Sequence, residues 1–397
     1  MRIILFEGFI MKQELKPYFV YPPVMALALY ATVLGYMIPA LRDAFSLSLA
    51  QAGLFSTLQS LGTALSVLLC FTVFSALNQT RIMAICAFVL ALIIAFIGLS
   101  TQLILLYALF LLLGLFNNIT DTLSNSIIAD LTPQKKSFHI GFMQALWSAA
   151  GAAGPFFAML LGSAYRPVFV GLGVFTALCA FVFVFGLRAE AAMPMLQKRH
   201  ALGGVGKLLR TLKRKGVKRY LIAAILNAIV QITLIFFISS FVTEIGGSPL
   251  QSAAALSAFF FGSMIGRLLY AKLMHTFPAC KVLPAATALA LAATAAMLLC
   301  ANPVLICILA VLGGFGLSMN FPSFLVEMCG IVPDDTAAAS SLVFLGYTLA
   351  CFIAPPVFGA IGDATSLQTA MLAALALLLP LIAVCLKLHS EPNQHNV

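Results

Sequence analysis

The chain has 397 residues, of which 62% are hydrophobic and only 9% are charged, against roughly 45–50% and 25% in soluble domains. A formal net charge of +10 would suggest a nucleic-acid partner in a soluble protein, but this composition excludes that class. A segment needs about 20 mostly apolar residues to cross ~30 Å of hydrocarbon, and twelve such stretches follow one another here.

In chain order they are expected at roughly 18–41, 50–76, 82–99, 103–130, 139–162 and 167–187, then 220–243, 250–271, 281–300, 303–329, 337–360 and 366–387. Long apolar runs without alternation predict helices, not barrel strands, so the expected fold is an all-α membrane protein. The opening MRIILFEGFI lacks a small-residue cleavage site and does not read as a signal peptide; Met11 offers an alternative start to Met1. With both termini on one side, that side holds 19 of the 22 Lys and Arg, the opposite loops hold Arg42 and Arg166, and Arg267 lies within the eighth span. This bias predicts a multi-pass protein of the cell membrane with cytoplasmic termini. Residues 188–219 carry ten basic residues against one acid, Glu190, and can rest on anionic lipid headgroups. Nine cysteines are scattered without a CxxC pair and read as packing residues, so no metal or other cofactor is expected.

The basic loop divides an N-terminal six-helix half (1–187) from a C-terminal one (220–397). Punctuating residues recur at an offset of 200: Gly62 with Gly262, Gly114 with Gly314, Pro133 with Pro333, Pro155 with Pro355 and Gly162 with Gly362. Trp147 falls opposite Tyr347. Each half has an even number of spans, so the repeat is parallel about an axis along the membrane normal, with a site expected at midplane between the halves.

Two six-helix halves, a basic central loop and internal termini resemble the major facilitator superfamily. The local marks are GSMIGRLLYAKL (262–273) and PPVFGAIGD (355–363). The family's acidic, glycine-rich loop after the second span is degraded here to ALNQTR (76–81), where only Arg81 keeps a charge. The resemblance implies a twelve-helix transporter, with Arg267 and Arg81 as gate residues.

Polar residues within the spans are the candidate site. In FNNITDTLSNS (116–126), Asn117, Asp121 and Asn125 share one helix face at i, i+4, i+8, with Asn118 beside them. Asp121 lies twelve residues before Pro133, about 18 Å from the inner end. An aspartate at that depth costs at least ~2.5 kcal/mol on insertion scales and should face a cavity or a partner. Burial favours its neutral form, which suits a proton carrier; the alternative is interhelical glue with the asparagines. The fifth span sets Gln144 and Trp147, the sole tryptophan, on one face with Gly151 and Gly154. An indole beside amides suits a sugar ring and its hydroxyls, while a packed core aromatic is the alternative. The seventh span offers Asn227 and Gln231, and the tenth Asn320, Ser323 and Glu327. Glu327 lies six residues before Pro333, about 9 Å from the inner end, where a gate contact competes with a second proton site.

DTLSNSIIADLTP followed by FMQALWSAAGAAGP is similar to the fucose and glucose/mannose permease branch, as is GFGLSMNFPSF (314–324). By that resemblance Asp121 carries the coupling proton and Asn125 and Gln144 bind sugar hydroxyls. The expected function is therefore secondary active transport of a sugar or polyol by alternating access, coupled to protons, by a monomer in contact with lipid. The alternative is a proton-coupled exporter of drugs or metabolites, suggested by GAAGP in the fifth span. An integral membrane enzyme is the remote alternative, since the spans show neither a metal cluster nor a nucleophile–base pair.

Overall fold

The structure, a computed structural model, describes residues 13–72, 78–132, 136–187, 210–214, 216–276, 279–300, 302–332 and 336–388. Every regular element among them is helical. A 3-10 turn, Gln13–Val20, leads into α1 (Tyr21–Phe45), α2 (Leu49–Thr72), α3 (Gln79–Leu99), α4 (Leu103–Leu131), α5 (Lys136–Leu161) and α6 (Tyr165–Leu187). The second half contains α7 (Val217–Glu244), α8 (Pro249–Thr276), α9 (Ala279–Leu299), α10 (Pro303–Ser318), α11 (Asn320–Ile331), α12 (Thr336–Ala364), α13 (Leu367–Ala376) and α14 (Leu378–Leu388). Ten helical stretches are long and apolar enough to cross a membrane, and Ala145–Leu161 within α5 is a shorter one. With α2, 24 residues long, these make the twelve spans. Helix α7 starts at Val217, slightly before the expected 220, and residues 188–209 of the basic loop lie outside the described residues.

The tenth and twelfth spans, expected as single helices, are each broken once. Helix α10 ends at Ser318 and α13 at Ala376, four residues before Pro322 and Pro380. Proline has no N–H to give the i−4 carbonyl, and its ring crowds that carbonyl, so the ladder parts there.

The internal repeat governs packing as well as sequence. A methyl group on Gly62 would strike the Leu111 carbonyl, and one on Gly262 the Val311 carbonyl; Gly114 abuts Gln59 as Gly314 abuts Phe259. Each contact recurs at the same offset of 200, so α2 meets α4 as α8 meets α10. Only glycine lets the backbones approach this closely, and without a hydrophobic drive in lipid, close van der Waals contact is what holds helices together. The start of α2 carries a capping box, with Ser48 N–H donating to Gln51 Oε1 (3.0 Å) and Gln51 N–H to Ser48 Oγ (3.2 Å). Ser248 and Gln251 repeat it at the start of α8, at 2.8 and 3.3 Å.

The halves meet where α2 packs on α12, α5 on α8 and α1 on α7. At the end of the bundle away from the termini, Asp363 caps α2 from the other half, accepting from Leu49 N–H (2.8 Å) and Ala50 N–H (2.9 Å). Helix α2 has no acid of its own in its first turn, so this carboxylate supplies the charge that the positive end of the helix dipole favours. Nearby, Arg42 faces Glu244 at 3.6 Å across the same seam. One turn deeper, Gly53 lies against the backbone of Pro355 and Pro356. Those prolines cannot donate to the carbonyls of Cys351 and Phe352, and both carbonyls instead accept from Ser56 Oγ and Thr57 Oγ1 of the opposite half, each at 2.7 Å.

Two outcomes follow for stability and closure. Gly114→Ala and Gly314→Ala should each overpack its helix pair, at about 1–3 kcal/mol, and lower the thermal midpoint in detergent; unchanged melting would contradict the contacts. Ser56→Ala with Thr57→Val removes two hydrogen bonds worth about 1 kcal/mol each. In a protein retaining Cys351 as its sole cysteine, that change should raise labelling of Cys351 by an impermeant thiol reagent roughly thirtyfold. Equal labelling would show that these bonds do not hold the seam.

Candidate functional site

Helix α4 carries the acidic candidate to mid-depth. Asp121 lies eighteen residues beyond Leu103, the first residue of its helix, about 27 Å along the axis. It is only partly buried, and neither a hydrogen bond nor an ion pair reaches its carboxylate among the described residues. The asparagines around it do not serve it as glue. Asn125 donates to the Asp121 backbone carbonyl at 2.9 Å, and Asn118 turns away to donate to Ser66 Oγ on α2 at 2.7 Å. Asn117, one turn before Asp121, keeps a buried Oδ1 with no hydrogen-bond partner. Buried polar atoms are nearly always paired, so an orphan acceptor beside an unpaired acid marks this face as unfinished.

The second group is built where α5 crosses α8. Arg267 Nη1 donates to Ser148 Oγ at 3.0 Å, and its guanidinium lies 5.5 Å from the centre of the Trp147 ring. Phe260 tilts against Trp147 at 6.1 Å, and also fills the space that a side chain at Gly151 would occupy. Gly154 packs on Thr32 of α1, so the glycines of GAAGP serve helix contact. Tyr347 of α12 lies within electrostatic reach of Arg267 and stacks edge-on with Phe321 of α11 at 5.7 Å. Trp147 thus faces the guanidinium from the opposite half, and its repeat partner Tyr347 lies within electrostatic reach of it. Gln144 lies on α5, one turn from Trp147, but its side chain is outside the described residues.

The remaining candidates spread through the C-terminal half. Asn320 is fully buried at the break between α10 and α11, donating to Asn227 Oδ1 (2.8 Å) and Thr287 Oγ1 (3.0 Å). That network ties three helices together and satisfies amides that lipid cannot. Gln231, one turn beyond Asn227, is 4% exposed and has no hydrogen-bond partner among the described residues. Glu327 accepts from Tyr220 O–H at 3.3 Å within its own half. Arg81 is exposed at the start of α3, where its backbone N–H is capped by Asn78. The structure therefore gathers Arg267, Trp147, Ser148 and Tyr347 at the seam; it does not bring Glu327 or Arg81 to them.

Sequence reasoning did not single out Asp363, Arg42, Glu244, Ser56 or Thr57. The signal for Asp363 lay in PPVFGAIGD: an acid at the end of a helix with two prolines, opposite a helix start lacking an acid. A cavity of about 550 Å³ opens among Asp43, Thr101, Ser163, Tyr165 and Arg166, at the closed end of the first half and away from both groups above.

The fold is matched by solved transporters. A bacterial homologue of the human lysosomal transporter Spinster, crystallised inward-facing and unoccupied, aligns with TM-score 0.78 and 17% identity over 94% of this chain and 96% of its own. Its occupied inward-facing form aligns with TM-score 0.78 and 18% identity, covering 93% and 95%. The nucleoside transporter NupG, in a mutant form, aligns with TM-score 0.77 and 14% identity over 94% of this chain and 100% of its own. At such identities the likeness is one of fold. No curated protein sequence matches significantly. The model of the Major Facilitator Superfamily matches residues 24–244 and 220–397, nearly the whole chain, and with two six-helix halves closed on each other at one end this multi-pass membrane protein belongs to that superfamily and is a transporter of a small molecule, not an enzyme.

Proposed function

We propose that the chain is a proton-coupled importer of a small hydroxylated solute, in the sugar and polyol class of the fucose and glucose/mannose permeases, working by alternating access. The observation that carries this reading is Asp121: a carboxyl in the membrane interior, facing neither cation nor hydrogen-bond donor. A charge left so is costly, and binding a proton relieves the cost. The proton also supplies an O–H, and the orphan Asn117 Oδ1 is one turn away on the same face, where i, i+4 side chains meet. Protonation from outside would neutralise the face and favour loading, and release inside would reset it. Asn125, Gln144, Gln231 and Trp147 are the proposed solute contacts. The amides Asn118, Asn227 and Asn320 hold helices in the conformation described here.

In this reading the basic linker 188–219 and both termini are cytoplasmic, and 1–187 and 220–397 rock as units in the cell membrane, within one monomer. The sealed end is then the outer one, as in the inward-facing Spinster homologue. Arg267 would act as a gate by joining α8 to α5.

Asp121→Asn mimics the protonated carboxyl. It should keep solute exchange between equally loaded compartments, which needs no net proton movement, and lose accumulation driven by a pH gradient. Counterflow and gradient-driven uptake of labelled fucose, glucose and sorbitol, measured on one proteoliposome preparation, check this. Gradient-driven accumulation at the wild-type level would remove the coupling role from Asp121.

A further inference from the structure

Among the basic residues of the described helices, Arg267 alone lies more than two turns from a helix end, nine residues before Thr276. It lies eighteen residues beyond Pro249, the first residue of α8, just as Asp121 lies eighteen beyond Leu103 on α4. Both helices start at the sealed end, so the two groups stand at one depth, about 27 Å along their axes, one in each half. Yet no carboxylate reaches the guanidinium among the described residues. Its contacts are Ser148 Oγ and the Trp147 face.

A guanidinium has five N–H donors, and Arg267 spends one of them on a neutral hydroxyl. A cation held at this depth without a counter-charge is incomplete, and removing the counter-charge from such a pair is strongly unfavourable. Carboxylate is the best geometric match, because its two oxygens meet the planar fork through parallel bonds. Phosphate fits less well: its charge of about −1.5 to −2 exceeds what one arginine balances. Trp147 and Phe260 give the same place aromatic walls for a compact carbon skeleton.

We propose that Arg267 and Trp147 form the subsite for the carboxylate of a small monocarboxylic acid, hydroxy acids and sugar acids being the class that keeps the hydroxyls of the proposed solute. This rests on the reading of the space between the halves as the site of a small hydroxylated solute, and makes that solute an anion in place of a neutral sugar or polyol. The charge count then closes. The substrate anion offsets Arg267, the proton offsets Asp121, and one proton travels with one anion, so a transport cycle moves no net charge.

Because Trp147 is the sole tryptophan and lies under the guanidinium, its emission reports this subsite directly. The test titrates the purified full-length protein with lactate, gluconate and galactonate. Their neutral counterparts propane-1,2-diol, sorbitol and galactitol are titrated in parallel at pH 6, where the acids are ionised. At least one acid should shift Trp147 emission saturably, with its neutral counterpart at least tenfold weaker. Arg267→Gln should weaken that acid at least tenfold, and Arg267→Lys, which keeps charge but loses the fork, by less. An equal response to acid and neutral counterpart, or none to any acid, would overturn the proposal, and this wild-type comparison stands even if the variants fail to fold. The two readings fail separately. Proton-driven uptake of sorbitol that survives Arg267→Gln would overturn the anion subsite and leave coupling standing. Saturable gluconate binding with uptake indifferent to the pH gradient would do the reverse.

Discussion

The constraint on which this structure depends is that lipid satisfies no backbone polar group. Two prolines in α12 break that rule locally, freeing the carbonyls of Cys351 and Phe352, and the opposite half repairs it with Ser56 and Thr57. The exposed N–H groups at the start of α2 are likewise capped by Asp363 of the other half. The seam is thus made of hydrogen bonds that neither half can make for itself. Unlike an apolar interface in lipid, which gains nothing from hydrophobic burial, such a seam has directional bonds that can be exchanged one set for another. When it parts, water entering from that end can take over the same donors and acceptors, so opening need not leave them orphaned.

Much of the fold was legible in the sequence, for physical reasons that differ from element to element. Twelve apolar runs and their charge asymmetry follow from the solvent. The glycines of the offset-200 repeat were readable because only glycine allows α2 and α4, or α8 and α10, to touch backbones. The capping boxes at Ser48 and Ser248 carried the same repeat as S-x-x-Q and could have been found by it. The breaks at Ser318 and Ala376 were also within reach, since Pro322 and Pro380 stand four residues on. Partnership across the seam was not. Nothing local to Asp363 says that the helix it caps begins 314 residues away.

The candidate site was legible by residue type and less so by role. Depth in a helix can be counted, so Asp121 and Arg267 stood out as charges where charges are costly. Direction cannot be counted as well. Asn118, Asn227 and Asn320 share faces with the other candidates, yet their side chains close on Ser66, on Thr287 and on one another. Trp147 was singled out for its uniqueness, but its partnership with Arg267 joins spans 120 residues apart and appears only once the halves are assembled.

Assembled, the parts describe a machine with a sealed end, an unpaired acid in one half, and an unpaired base reaching across from the other. Alternating access requires the sealed end to open as the other closes. Spin-label distances across two pairs test it most directly: Ala44 with Ile245 at the sealed end, and Leu131 with Gly330 at the opposite end. Asp363→Asn, which removes the negative charge at the N-terminus of α2 at a cost of about 0.3–1 kcal/mol, should shift the equilibrium toward opening. The first distance should then lengthen while the second shortens within the same population. Both distances unchanged, or both lengthening together, would contradict it.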